Sequence, residues 1–373
     1  MRLATYNVEN LFERAKVMNL PDWRDGRDAL QAYAAFNAAA GQEVYAEADY
    51  AAMEAALATL GLGAADESAV ARLRQNRGMP LRARRQGRLQ FIAGGRADWI
   101  GWAELKTEPV DGVAIDNTGR VIGLLAADVL AVVEAESRPS LLRFNEQVLD
   151  RVSAPRFGAV MLVDGNDARG IDVGLMARPS HPIRSVVSHV DDPDARGEPL
   201  FSRDCPEYEV GLPSGGSLWV LVNHLKSQGY GSKAANDARR RAQAARVREI
   251  YEARLAAGAR LVAVVGDLNN PPDAPPLAPL LGCGGPRDIQ DHPRFRRDPQ
   301  GRTGTWKNGT ARDRLDYLLM SPELWDAVRD GGLERRGVWG GVNGTLFPHL
   351  PTITREEEAA SDHAALWAEF DLG

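Results

Sequence analysis

Asp128-Val129-Leu130-Ala131-Val132-Val133 is an apolar run entered by one carboxylate and stopped by another, Glu134. Its length, its β-branched residues and its lack of alternation predict a strand buried on both faces. An unpaired carboxylate at the end of such a strand costs on the order of several kcal/mol, so Glu134 needs a partner. A divalent cation is the favoured one, and the guanidinium of Arg138 is the alternative.

The same pattern recurs along the chain. Leu3 to Val8 alternates as a strand and brings out Asn7 and Glu9, which could face a metal or cap the next turn. Ser217 to Val222 runs straight into Asn223, His224, Leu225, Lys226 and Ser227. Arg260 to Val265 closes with Gly266-Asp267-Leu268-Asn269-Asn270, and in an extended conformation Asp267 and Asn269 would project to one side. Arg169 to Met176 reads as a strand with a charged beginning, and Phe201-Ser202-Arg203-Asp204 opens an alternating segment through Val210. Asp316 heads the run Tyr317 to Leu319. Near the end, Ala360-Ser361-Asp362-His363-Ala364 precedes the apolar-rich Ala365 to Phe370 and delivers an Asp-His pair to the end of a β-element.

Length leaves room for one large sheet-based domain with insertions or for two domains, since 373 residues exceed the usual single core. Hydrophobic and charged contents of 44% and 26% are those of a globular chain. A net charge of -6 argues against a protein that coats polyanions over its whole surface, and it leaves carboxylates for a divalent metal. The two cysteines, Cys205 and Cys283, lack metal-ligand spacing and indicate no disulfide framework. Neither a secretory leader nor an apolar run of about 18 residues is seen, which makes a cytoplasmic location the expectation.

From about Glu13 to Arg96 the chain becomes Ala-rich and reads as helical. Tyr50, Met53, Leu57 and Leu60 recur at helical spacing before Gly61 and Gly63, and Asp66 or Ser68 could cap a second helix through Val70 and Leu73. Arg72, Arg74, Arg77, Arg82, Arg84, Arg85 and Arg88 form a basic run that is either a solvated face or a phosphate-backbone contact. Downstream, Val121 to Ala127 and Asn236 to Ala257 read as helices. The loop from Val338-Trp339 to Leu346-Phe347 packs in the core or touches a membrane.

Taken in order, Tyr6-Asn7-Val8-Glu9, the strand ending in Glu134, Asn223-His224, Gly266-Asp267-Leu268-Asn269, Arg314-Leu315-Asp316-Tyr317 and Ser361-Asp362-His363 resemble the motif set of the endonuclease/exonuclease/phosphatase (DNase I-like) superfamily. The resemblance covers residues 1 to 373 except for the insertion at about 13–96, and it implies a single domain. The fold it implies is a four-layer α/β sandwich of two packed mixed β-sheets flanked by helices. It further implies that Asn7, Glu134 and Asp362 bind or surround Mg²⁺ or Mn²⁺, and that Asp267 and Asn269 hold and activate the attacking water. His363 paired with Asp316 would contact the scissile phosphate, and His224 would act on a phosphate oxygen or the leaving group. Arg203, with Asn223, would contact substrate. Val133 stands where the family usually has Gln.

The chemistry calls for this set. A phosphodiester anion repels a nucleophile, so a hard cation on oxygen ligands helps to neutralise developing charge. In-line attack needs a held water, whose proton goes to Asp267 or to a histidine. A His held by a carboxylate keeps one tautomer and can carry positive charge, which suits Asp316 with His363. Asp172 could orient His224 in the same way or pair with Arg169 or Arg178. The expected activity is a metal-dependent phosphodiesterase acting as an endonuclease or exonuclease on DNA. The alternatives are a phosphatase or phospholipase C-type hydrolase on a small phosphoester or lipid headgroup, and a non-catalytic binding protein on the same scaffold.

Overall fold

The computed structural model describes residues 1–11, 13–16, 26–85, 88–109, 112–167, 170–229 and 232–372. Arg169 lies outside them, as do the side chains of Arg85 and Arg88. By contact the chain divides into Met1–Phe12 with Gly112–Gly373, and Glu13–Asp111.

The larger unit holds two six-stranded mixed sheets. The first runs in the order Val328–Glu334, Ala365–Phe370, Arg2–Leu11, Val129–Ala135, Asp172–Ala177, Ala159–Val163. The second runs Ile183–Val187, Glu207–Gly211, Ser217–His224, Val262–Asp267, Asp316–Met320, Arg287–Asp288. Each has one parallel pair at its centre, Arg2–Leu11 with Val129–Ala135 and Ser217–His224 with Val262–Asp267, and the other pairings are antiparallel. Parallel strands exit a sheet at the same edge, and an antiparallel neighbour enters there. Asn7, Glu134, His224 and Asp267 therefore leave their strands at the edge where Asp316 and His363 begin theirs.

Period-two alternation sorts these strands into layers. Leu3, Val129, Ala131, Val133, Val220, Val222, Ala263, Val265, Leu318, Met320, Leu366 and Ala368 fill the space between the sheets. Ala4, Tyr6, Leu130 and Val132 turn outward onto Val121, Ile122 and Leu125 of the helix Val113–Leu125. Leu221, Val262, Val264 and Leu319 turn outward onto Val247, Ile250 and Tyr251 of the helix Lys233–Ala256. Helices, sheet, sheet and helices make the four expected layers. The helices begin or end within a few residues of where hydrophobic spacing puts them, except that the first starts earlier, at Val113. Arg138 does not serve Glu134, because its Nε donates to the Val160 carbonyl.

Val338 and Phe347 are buried together with Ala364, which packs both ends of that loop in a core while Val342 at its tip is exposed. Cys205 and Cys283 are both free. Among the described residues no helix is long and apolar enough to cross a membrane.

The smaller unit contains helices Arg27–Ala40 and Glu47–Thr59 and three two-stranded antiparallel ladders. Phe36, Met53, Leu57, Leu60 and Trp99 are its core. The expected helix through Val70 and Leu73 is instead a strand, Ala71–Gly78, paired with Trp99–Leu105. Ser68 Oγ accepts from Ala71 N–H (3.0 Å) and closes a turn rather than capping a helix. From Ala71 onward buried Ala and half-buried Leu alternate with Arg, a period of two that only the partner strand makes useful.

Candidate active site

Parity places most of the polar residues. Asn7 shares the inter-sheet face with Leu3, His224 with Val222, Asp267 with Val265, and Asp316 with Leu318. All four are buried, so none is solvated on its own. Asn7 Nδ2 bridges the two sheets, 3.3 Å from both Glu134 Oε1 and Asp267 Oδ2. His224 Nε2 lies 3.6 Å from Glu134 Oε1 and 3.8 Å from Asp267 Oδ2.

Glu134 falls on the wrong parity for this cluster and reaches it by backbone distortion. Its φ is 69°, in the left-handed region that non-glycine residues rarely occupy. Glu9 (φ 51°) and Asn269 (φ 56°) share that conformation. Three such residues at strand ends around one cluster cost of order 1–3 kcal/mol each, and the surrounding sheets hold them there. Gly266 (φ 119°) has a structural role: a Cβ would stand 2.0 Å from the Asn223 carbonyl oxygen. Gly266→Ala should lower stability by about 3 kcal/mol, read as a lower urea midpoint at unchanged slope.

A buried dyad adjoins the cluster. His363 Nδ1 lies 2.7 Å from Asp316 Oδ2, which also accepts from Thr305 Oγ1 at 2.5 Å. Burial alone would lower the His363 pKa, but the Asp316 charge and hydrogen bond outweigh it and raise His363 from 6.5 to about 10. Its Nε2 is 3.7 Å from Asp362 Oδ1. For Asp267, burial first and then the Asp316 charge push its carboxyl up. Asp267, Asp316 and His363 also offer potential ligand atoms within 4.8 Å of one another. The Glu134 and Asp267 carboxylates on either side of Asn7 offer a second set of oxygen donors.

The remaining expected site residues divide. Arg203 is buried, and its Nη2 donates to His224 Nε2 at 3.0 Å, which makes that nitrogen the acceptor and puts the ring proton on Nδ1. Asp362 stands at the rim: Trp306 Nε1 donates to its Oδ2 (2.6 Å), and its own N–H donates to Glu9 Oε2 (2.7 Å). Among the described residues it makes no hydrogen bond to Asn7 or Glu134. Asn223 is not brought in. Its parity is that of Leu221 on the helix side of the sheet, and its Nδ2 donates to the Leu221 carbonyl at 3.1 Å. Asn269 and Asp267 do not lie on one extended segment, because Asn269 N–H donates back to Asp267 Oδ1 (2.8 Å) in a turn. Asp172 accepts from Gly165 N–H (2.8 Å), while Arg178 donates to the Ala127 and Arg156 carbonyls.

Three supporting residues were not singled out from sequence as site members, Thr305, Trp306 and Ser361, while Glu9, read as facing a metal or capping a turn, accepts from the Asp362 N–H at the rim. Ser361 Oγ donates to the Asn7 carbonyl (2.8 Å) and accepts from His363 N–H (2.9 Å). Burial and then the Asp362 charge raise the Glu9 carboxyl. Thr305 and Trp306 come from a loop with no motif of its own, and a bridge from Trp306 to His363 places them. A cavity of about 360 Å³ opens beside Asp362, lined among others by Glu9, Lys307, Asn308, Trp339 and Glu356.

A family model described as the Endonuclease/Exonuclease/phosphatase family matches residues 109–363. Among solved structures, an endonuclease/exonuclease/phosphatase family protein from Bacteroides thetaiotaomicron is similar at 16% identity and a TM-score of 0.50, over 69% of this chain and 87% of that one. Truncated TDP2 of Caenorhabditis elegans is similar at 17% identity and 0.47, over 69% and 89%. A mannosyl-6-phosphatase from Bacteroides thetaiotaomicron is similar at 15% identity and 0.49, over 69% and 91%. No curated protein matches.

Proposed function

We propose, from the premise that this chain belongs to the endonuclease/exonuclease/phosphatase family and is a phosphoric ester hydrolase, that it is a divalent-metal-dependent phosphodiesterase whose substrate is DNA. The observation that carries this reading is the meeting of Glu134, Asp267 and His224 around the Asn7 amide beside the Asp316–His363 dyad.

Two carboxylates are hard oxygen donors of the kind Mg²⁺ or Mn²⁺ prefers; the Asn7 amide, whose Nδ2 lies 3.3 Å from both and whose Oδ1 accepts from the Glu9 N–H, would offer its oxygen to the ion by a flip of the amide. Asn7 and Glu134 would hold the ion, with Asp267 in reach. When bound it would neutralise charge developing on the phosphate.

The side chains divide the remaining work. Asp267 Oδ1 is fixed by the Asn269 N–H, which leaves Oδ2 to orient the attacking water and accept its proton. His363, kept cationic by Asp316, would meet a phosphate oxygen through Nε2. Arg203 and His224 act together, the guanidinium supplying the positive charge at that side.

Purified protein with Mg²⁺ or Mn²⁺ should nick plasmid DNA and hydrolyse bis(p-nitrophenyl) phosphate, and EDTA should abolish both. A second reading has one observation in its favour: the cavity beside Asp362 suits a small organic group, as on a sugar phosphate or lipid headgroup. Turnover of p-nitrophenyl phosphate with no cleavage of either diester would select that reading. No turnover of any phosphoester, with metal present, would overturn both.

A further inference from the structure

We propose that the outward face of the two-stranded sheet Ala71–Gly78 with Trp99–Leu105 binds single-stranded nucleic acid. The register alternates between two faces, with an irregularity between Gln75 and Arg77. Ala71 opposite Leu105, Leu73 opposite Ala103, and Gly78 opposite Trp99 turn inward, where Trp99 meets Phe36 edge to face at 6.3 Å. Arg72 opposite Glu104, Arg74 opposite Trp102, and Arg77 opposite Ile100 turn outward. Trp102 is 43% exposed, Ile100 41%, and Met79, just past the first strand, 44%.

An indole left this open beside guanidinium groups is poorly explained by folding, which would bury it. The arrangement suits a strand whose bases are unpaired: one base stacks on Trp102 while flanking arginines meet phosphates. Duplex DNA hides its base faces and offers an indole nothing to stack on. Charge agrees with this occupant. Residues 71–109 carry nine Arg and Lys against three Asp and Glu, in a chain whose net charge is -6.

The arginines are not equivalent. Arg72 and Arg74 share Glu104. Arg82 is spent inside the unit, its Nη2 donating to the Leu62 and Ala65 carbonyls and to Asp66, so it is removed from the phosphate-contacting run. Arg77 is exposed and has no ion-pair partner among the described residues, which makes it the residue to test. Arg74 opposite Trp102 and Arg77 opposite Ile100 also interrupt the continuous apolar patch that a protein partner would cover.

This inference rests on the phosphodiesterase reading in one respect, that the bound strand belongs to the substrate class. The test measures binding of the full chain in EDTA, by anisotropy of a fluorescein-labelled oligo(dT) over a salt series. Trp102→Ala should weaken binding by about tenfold. Arg77→Ala should reduce the slope of log affinity against log salt by about 0.7. Both variants should hydrolyse bis(p-nitrophenyl) phosphate, with metal restored, at the rate of the unaltered protein. Unchanged oligo(dT) affinity and slope in both variants would overturn the proposal. So would binding to phosphatidylserine–phosphatidylcholine vesicles in place of oligo(dT). Absence of hydrolysis in the unaltered protein would count against the catalytic reading alone, because the anisotropy series needs no turnover.

Discussion

Asp267→Asn should lower kcat on a phosphodiester by about 10³-fold while leaving the protein folded. The substitution is close to isosteric. It keeps the Oδ1 that accepts the Asn269 N–H, and it replaces Oδ2 with an amino group facing the Asn7 Nδ2, 3.3 Å away in the native protein. The proton acceptor is lost and the fold is kept. Stability follows from the pKa direction: burial and the neighbouring Asp316 raise the Asp267 carboxyl above its ordinary 3.8. An acid raised on folding binds its proton more tightly in the folded state, so its ionisation weakens the fold as pH rises above 3.8 toward the raised value. Asparagine removes that penalty but loses the hydrogen bond from Asn7 Nδ2, two opposing effects, so in EDTA the variant should remain folded and melt cooperatively at pH 7. Retained turnover would show that the site has been misread. A collapse in melting temperature would mean that Asp267 is held for structure.

Asp316→Asn should lower kcat by about 10²- to 10⁴-fold at neutral pH and should change the pH profile in a way that truncating an ordinary structural residue would not. Burial by itself lowers His363, and the Asp316 charge and hydrogen bond, followed by the Asp267 and Asp362 charges, raise it to about 10. Without the Asp316 charge the His363 pKa falls, and the alkaline limb of kcat/KM should move to lower pH. A raised His pKa means that the native pair contributes stability fully present below pH 6.5 and lost as pH rises through about 10. Unfolding midpoints of native and variant protein should therefore differ at pH 6 and converge toward pH 10. An unshifted alkaline limb would remove the electrostatic role given to His363.

Much of the site was legible because strands announce themselves locally. Runs such as Val129 to Val133 and Val262 to Val265 show their apolar character in a few residues, and a polar residue at the end of such a run stands out. Asn7, Glu134, His224 and Asp267 were singled out at the ends of such runs and Asp316 and His363 at their heads. The insertion was read less well. A short Arg-Leu alternation between turns carries a helical and a β reading at once, and pairing with a strand some thirty residues later settled it.

The sequence by itself determined the central strands of both sheets, which polar residues stand at their ends and which family the motif order resembles, because all three depend on local pattern. Tertiary structure decided which of those residues meet. Sheet parity turned Asn223 toward the helix side while its neighbour His224 entered the cluster. Left-handed backbone at Glu134 re-aimed a carboxylate that regular alternation would have pointed away. The Thr305–Trp306 loop, bridged to His363, supplied contacts to Asp316 and Asp362 that no spacing encodes. Hydrogen bonds between distant segments depend on register and on the crossing of two sheets, and neither is written in any single stretch of the chain.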